Sequence, residues 1–246
     1  MVGKRLKLLR YEIQRILRSK VYLILGLITL VYSVYVLQSS ILNGESGTAP
    51  FSEWSFLAYW LAVMPVLVIV ILVYAAKTND GEEQRVGKVT GATPTKKGEQ
   101  LSAKAWGILI ATTLVCILVT ITAYVFYYMK FKIIAPMHLL LVMLLIIIPQ
   151  IFFLLGVGLL AARLHVGAVY PIIGFFLFAH VTQLMLPMPI DFIGNSILSI
   201  PRGTYPIAGA IPFTIPTMYL IVRVAVLCVG VLLLVYACRG KSKIQA

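Results

Sequence analysis

Residues 54–76, WSFLAYWLAVMPVLVIVILVYAA, contain no charged side chain, whereas residues 80–104, DGEEQRVGKVTGATPTKKGEQLSAK, contain nine. The first run has the length a helix needs to cross the hydrocarbon core of a bilayer, about 20 residues at roughly 1.5 Å each. The second cannot enter lipid without a large desolvation penalty. This contrast decides the fold class because it recurs. Apolar runs of spanning length also occupy residues 21–41, 105–129, 138–162, 167–187 and 217–238, which makes six in all. Backbone polar groups in lipid must be satisfied within the segment, so these runs are read as helices, and the short alternating strands of a membrane barrel are missing.

Composition leads to the same class. The chain is 61% hydrophobic and 12% charged, with a mean hydropathy of +0.98; ordinary soluble domains carry about 25% charged residues. A net charge of +13 would point to nucleic acid in a soluble protein. Here the basic residues flank apolar runs, which makes them topology and headgroup signals, so no nucleic-acid partner is expected. The apolar run 21–41, VYLILGLITLVYSVYVLQSSI, is longer than the roughly 7–15 residues of a signal-peptide core and is read as a retained span.

Of the 21 basic residues, 17 fall on one side of the expected bilayer, in the N-terminal segment, the 77–104 stretch, the link at Arg163 and the tail. Lys130, Lys132, Arg202 and Arg223 fall on the other. Positive charge stays cytoplasmic, so a multi-pass protein of the cell (plasma) membrane with both termini inside is expected. Trp54, Tyr127 and Tyr128 are then placed at the outer interface and Trp106 at the inner one.

Within residues 4–20, Leu6, Leu9, Ile13, Ile16 and Leu17 recur at helical spacing, with Arg5, Lys7, Glu12, Arg15 and Arg18 sharing the rest of the surface. The pattern predicts an amphipathic helix lying in the inner leaflet over residues 1–20. Residues 188–216 are apolar but broken by Pro189, Pro201, Pro206, Pro212 and Pro216, so half-helices that dip into the outer leaflet and return are expected.

Chemistry-bearing motifs are few. Cys116, Cys228 and Cys238 show no metal-ligand spacing, and His138, His165 and His180 fall on different helices. No span contains a Ser/His/Asp set or a carboxylate pair, so no catalytic residue, metal ligand or cofactor is assigned to the chain. A phosphate-binding loop is missing as well: RGKS at 239–242 has Val235 where the first glycine belongs. Four polar residues in or near spans have two readings each. Gln150 either marks the expected kink at Pro149 or lines a translocation path. His180 and Gln183 either bond between helices or line a translocation path. Arg223 either snorkels to the outer headgroups or contacts substrate or a second copy. Asp191 is placed outside the membrane.

The insert holds the most specific pattern. Asp80, Glu82 and Glu83 open it, Gly87 and Gly91 supply turns, and Thr93 can cap a short helix with Pro94 in its first turn. Thr95, Lys96, Lys97, Leu101 and Lys104 lead back to the membrane. The arrangement EE…G…TPTKK…L..K between the second and third spans resembles the coupling-helix loop of ABC-2 type transporter permeases, whose chains also begin with a basic interfacial helix like RYEIQRILRSK. The Gly87-Lys88-Val89-Thr90-Gly91 segment departs from that pattern, where an apolar turn is common. The resemblance implies an all-α integral membrane protein of six transmembrane helices. Its parts are an interfacial elbow helix at 1–20 and a permease domain at 21–246, with a cytoplasmic coupling loop at 77–104 and an extracellular re-entrant segment at 188–216. It also implies an ABC ATPase subunit that binds ATP and Mg, a second permease chain in a homo- or heterodimer, and export. By that resemblance Glu82, Glu83, Gly87, Thr93, Pro94, Thr95, Lys96 and Lys104 face the ATPase. The expected cargo is amphipathic or hydrophobic: a toxin or antimicrobial peptide, a lipid or a drug. The alternative is an ATP-independent secondary transporter or channel, disfavoured because spans one to four hold no charged residue in mid-membrane.

Overall fold

The computed structural model describes residues 2–43, 48–80, 97–133, 138–203 and 212–239. Every regular element among them is helical: α1 (Val2–Leu17), α2 (Lys20–Ser39), α3 (Glu53–Lys77), α4 (Lys97–Phe131), α5 (His138–Leu164), α6 (Val169–Val181), α7 (Ser199–Gly203) and α8 (Thr217–Arg239), with short 3-10 turns between some of them. Five of these, α2, α3, α4, α5 and α8, are long and apolar enough to cross a membrane.

Helix α3 is the centre of the bundle, with Trp54, Phe56, Leu57, Tyr59 and Trp60 all fully buried. Its start is set by Ser52, whose hydroxyl accepts from the Ser55 N–H, and Glu53 and Lys77 occupy its first and last turns with the signs the helix dipole favours. Around it pack α2, α5 and α6. The most extensive helix pair is α5 with α8. It is built on two glycines, since a Cβ on Gly156 would lie 2.7 Å from the Gly230 carbonyl, and one on Gly230 would lie 2.6 Å from the Phe153 nitrogen. Lipid offers no hydrophobic drive for helix association, so this backbone-to-backbone approach supplies it through dispersion. Polar side chains add cross-links: Tyr22 Oη donates to the Ala111 carbonyl at 2.9 Å, and Asn79 Nδ2 donates to the Ala162 carbonyl at 2.7 Å.

The helices alternate in direction, which sorts their ends. Cys238 in the last turn of α8 meets Gly98 in the first turn of α4, where an added Cβ would lie 2.9 Å from the Cys238 carbonyl. Arg163 Nη1, near the end of α5, donates to the Ala237 carbonyl at 3.1 Å. Helix α1 packs along the first half of α4, with Ile16 and Glu12 against Gly107. One end of the bundle thus holds α1, the last turns of α3, α5 and α8, and the first turn of α4. It also holds Arg15, Arg18, Lys20, Lys77, Lys104, Arg163 and Arg239, and we call it the basic end. At the opposite end His138 Nε2 pairs with Glu53 Oε1 at 2.8 Å.

Several expectations are corrected. The third apolar run, expected at 105–129, belongs to a 35-residue helix that starts at Lys97. It rises about 52 Å and so outruns the roughly 30 Å hydrocarbon core. The fifth run, expected at 167–187, is a 3-10 turn at Val166–Ala168 followed by the 13-residue α6. It stops because Gln183 turns left-handed (φ 49). The Leu184 and Gln183 N–H groups then close back on the Ala179 and His180 carbonyls, at 2.8 and 3.1 Å, in a Schellman termination. Glu12, expected on the polar face of α1, is buried against α4, because the crossing at Gly107 covers that flank. Trp54 and Tyr127, expected at an interface, point inward; Trp54 packs edge-on to Phe213 with ring centres 4.9 Å apart. Tyr128 and Trp106 are exposed. Of the 188–216 segment, two 3-10 turns and α7 are seen, and residues 204–211 lie outside the described residues.

Candidate functional site

Polar side chains gather in two places, one at each end. At the basic end α1, α3 and α4 diverge around a cleft of ≈ 300 Å³. Glu12 and Arg15, an ion pair at 3.0 Å, form one wall. Lys77, Thr78 and Asp80 form the second and Lys104 the third. Tyr74 Oη donates to Ser19 Oγ at 3.3 Å and ties the end of α3 to the α1–α2 joint. Both borders of the polar insert, Asp80 and Lys97, emerge at this end. Of the residues the resemblance assigns to ATPase contact, Lys104 is here. Glu82, Glu83, Gly87, Thr93, Pro94, Thr95 and Lys96 lie outside the described residues.

At the opposite end the polar groups are buried instead. Asp191 follows a 3-10 turn, and its carboxylate accepts from the backbone N–H groups of Ile193 (3.1 Å), Gly194 and Ser196 (both 2.7 Å). Three donors from one tight loop account for a fully buried carboxylate. Its carbonyl accepts from Arg223 Nη2. Arg223 is 1% exposed, so it does not snorkel. Its guanidinium lies 4.9 Å from the centre of the Tyr219 ring and against Gly194, where a Cβ would come within 2.9 Å of Nη1. Gly194 has φ +103, a conformation that glycine alone adopts readily. The loop folds over the arginine because a side chain is missing there. Asn195 Nδ2 extends the network to the Ala179 and Leu184 carbonyls, at 3.2 and 3.3 Å, and fastens the loop to the end of α6.

The four residues expected to line a path do not share one environment. His180 and Gln150 are buried, and among the described residues the Gln150 amide has no hydrogen-bond partner for either of its polar atoms. Arg223 belongs to the loop network just described. Gln183 is exposed and accepts from Arg202 Nη1 at 2.6 Å. Sequence reading missed Asn195 and Gly194 as network members. The signal for them was the run Asp191-Phe192-Ile193-Gly194-Asn195-Ser196, in which an acid stands shortly before a Gly-Asn-Ser turn. No family model, curated protein or solved structure matches the chain.

Proposed function

We propose that the chain is the permease subunit of an ATP-driven ABC-2 type exporter of the bacterial plasma membrane. It would move an amphipathic or hydrophobic substrate (a toxin or antimicrobial peptide, a lipid or a drug) by alternating access. One observation carries the reading. A basic N-terminal helix, the start of α4, the end of α8 and both borders of the charged insert converge on one end of an apolar bundle, around a cleft of mixed charge. Such an end suits a grip by a soluble motor. Positive charge gathered there supports a cytoplasmic position for this end and for both termini. The 3-10 turn and α6 together rise about 26 Å, close to the hydrocarbon thickness, and serve as the sixth crossing. An even number of crossings also fits the last turn of α8 lying beside the first turn of α4.

In this mechanism a partner ABC ATPase binds ATP and Mg. Its closure pushes on the 77–104 loop, with Glu82, Glu83 and Lys104 among the contact residues, and on α1 beside it. A second permease chain completes the path. The test is co-expression with a P-loop ATPase encoded beside this chain, followed by purification and ATP hydrolysis assays. The reading expects the two to copurify and Glu82→Ala with Glu83→Ala to cut permease-dependent hydrolysis by about tenfold, the effect of roughly 1.4 kcal/mol. Failure to copurify, with hydrolysis indifferent to both substitutions, overturns it.

A second reading, an ATP-independent carrier, draws on the buried ionisable groups His180, Asp191 and Arg223, because intramembrane charges often mark ion pathways. Substrate efflux from vesicles driven by a proton gradient without any ATPase would favour it.

A further inference from the structure

On the side of the bundle away from the charged cleft, α4 and α8 form a groove of ≈ 380 Å³, within the roughly 300–1,000 Å³ of ligand sites. Its geometry is regular. Gly98, Ser102 and Trp106 supply one wall at four-residue spacing along α4. Val231, Leu234, Val235 and Cys238 supply the other as one face of α8, and Phe152 of α5 closes the floor. The two helices touch at Gly98 and Cys238 and separate from there. From Gly98 to Trp106 the groove runs about 12 Å along the helix axis, close to the depth of one leaflet of a roughly 30 Å core. Arg239 sits exposed at its basic-end rim, and Trp106, 50% exposed, sits at the other limit.

We propose that this groove binds one acyl chain of an anionic phospholipid, with the phosphate headgroup on Arg239. The depth matches a chain entering from a single headgroup plane. The walls are apolar throughout that depth, apart from the Ser102 hydroxyl. The cation stands where the headgroup must be, at the end where the other basic side chains also gather and attract anionic lipid. A cation at a helix C-terminus also complements the dipole; that role accounts for the charge of Arg239 but not for the matched stripes below it. The proposal does not depend on the exporter reading and holds for any function of the bundle.

Tryptophan fluorescence reports the site directly. The chain has three tryptophans; Trp54 and Trp60 are fully buried, which leaves Trp106 as the one open to lipid. The full chain in detergent micelles is titrated with phosphatidylglycerol or phosphatidylcholine brominated on the acyl chains. Saturable quenching at low lipid mole fraction is expected. The half-saturating amount should be about fivefold lower for phosphatidylglycerol, the preference that one basic side chain confers near a membrane surface. Arg239→Gln should reduce that ratio to about one, while Lys20→Gln, at the same end but outside the groove, should leave it unchanged. Ser102→Phe should abolish the saturable phase without lowering the melting temperature. Quenching that rises linearly with mole fraction, equal affinity for the two lipids, or persistence of the ratio in Arg239→Gln overturns the proposal. So does Trp106 shielding that tracks protein concentration without lipid, since a second copy of the chain would then fill the groove.

Discussion

Arg223 and Arg239 lie sixteen residues apart on the same helix, each toward one end of it, and the bundle treats them oppositely. Arg239 is exposed at the rim of an apolar groove, whereas Arg223 is enclosed by a loop that bends left-handed at Gly194 to cover it. The basic end keeps its charges at clefts and rims, where water, lipid or a soluble partner can reach them. The opposite end has few charges and builds two of them, Asp191 and Arg223, into its framework. Position along a helix therefore does not decide whether a membrane arginine snorkels. The neighbouring segment decides it, by offering or withholding carbonyls and an aromatic face.

The sharpest way to break this comparison is to delete each arginine. Arg223→Leu forfeits a charge-assisted hydrogen bond and a buried cation–π contact and should destabilise the protein by about 2–4 kcal/mol in detergent unfolding. Arg239→Leu should stay within about 0.5 kcal/mol. Equal effects would mean that the buried network is not structural. The glycine contacts give a second contrast. Gly230→Ala drives a Cβ into the α5 backbone and should cost about 1–3 kcal/mol. Gly174→Ala meets nothing within 4 Å and should be neutral or stabilising. Gly194→Ala should cost about 1–2 kcal/mol through its left-handed backbone, and the loss should shrink in an Arg223→Leu background if the two act as one unit. At the small end, Glu53→Ala removes a partly exposed pair with His138 and should change stability by less than about 1 kcal/mol.

Much of this architecture is written in local composition. Length and hydropathy locate the five long helices, and the apolar stripe of residues 6–17 announces α1. Less legible is what depends on neighbours distant in sequence. The stripe cannot reveal that Glu12 faces α4, because the reason is Gly107, ninety-five residues away. Hydropathy joins residues 167–187 into one run, since Thr182 and Gln183 are too few to interrupt it, yet the backbone turns there and the chain leaves the helix. Trp54 and Tyr127 look like interfacial anchors by position, and only the aromatic packing at the top of α3 draws them inward. The candidate sites divide in the same way. The insert is conspicuous as charge amid grease, while the Asp191–Arg223 contact joins residues thirty-two apart, and the turn signal at Asp191–Ser196 does not reveal which cation the loop covers.

The proposed function gives the two ends different roles, which a photo-crosslinking residue at position 83 tests most directly. In cells that also produce the proposed ATPase partner, illumination should give an adduct between this chain and that ATPase, with a yield that changes when vanadate traps the nucleotide. An absence of adduct with the ATPase present, together with labelling of the same position by a membrane-impermeant reagent added outside, would contradict the assignment of the basic end as the handle of a cytoplasmic motor.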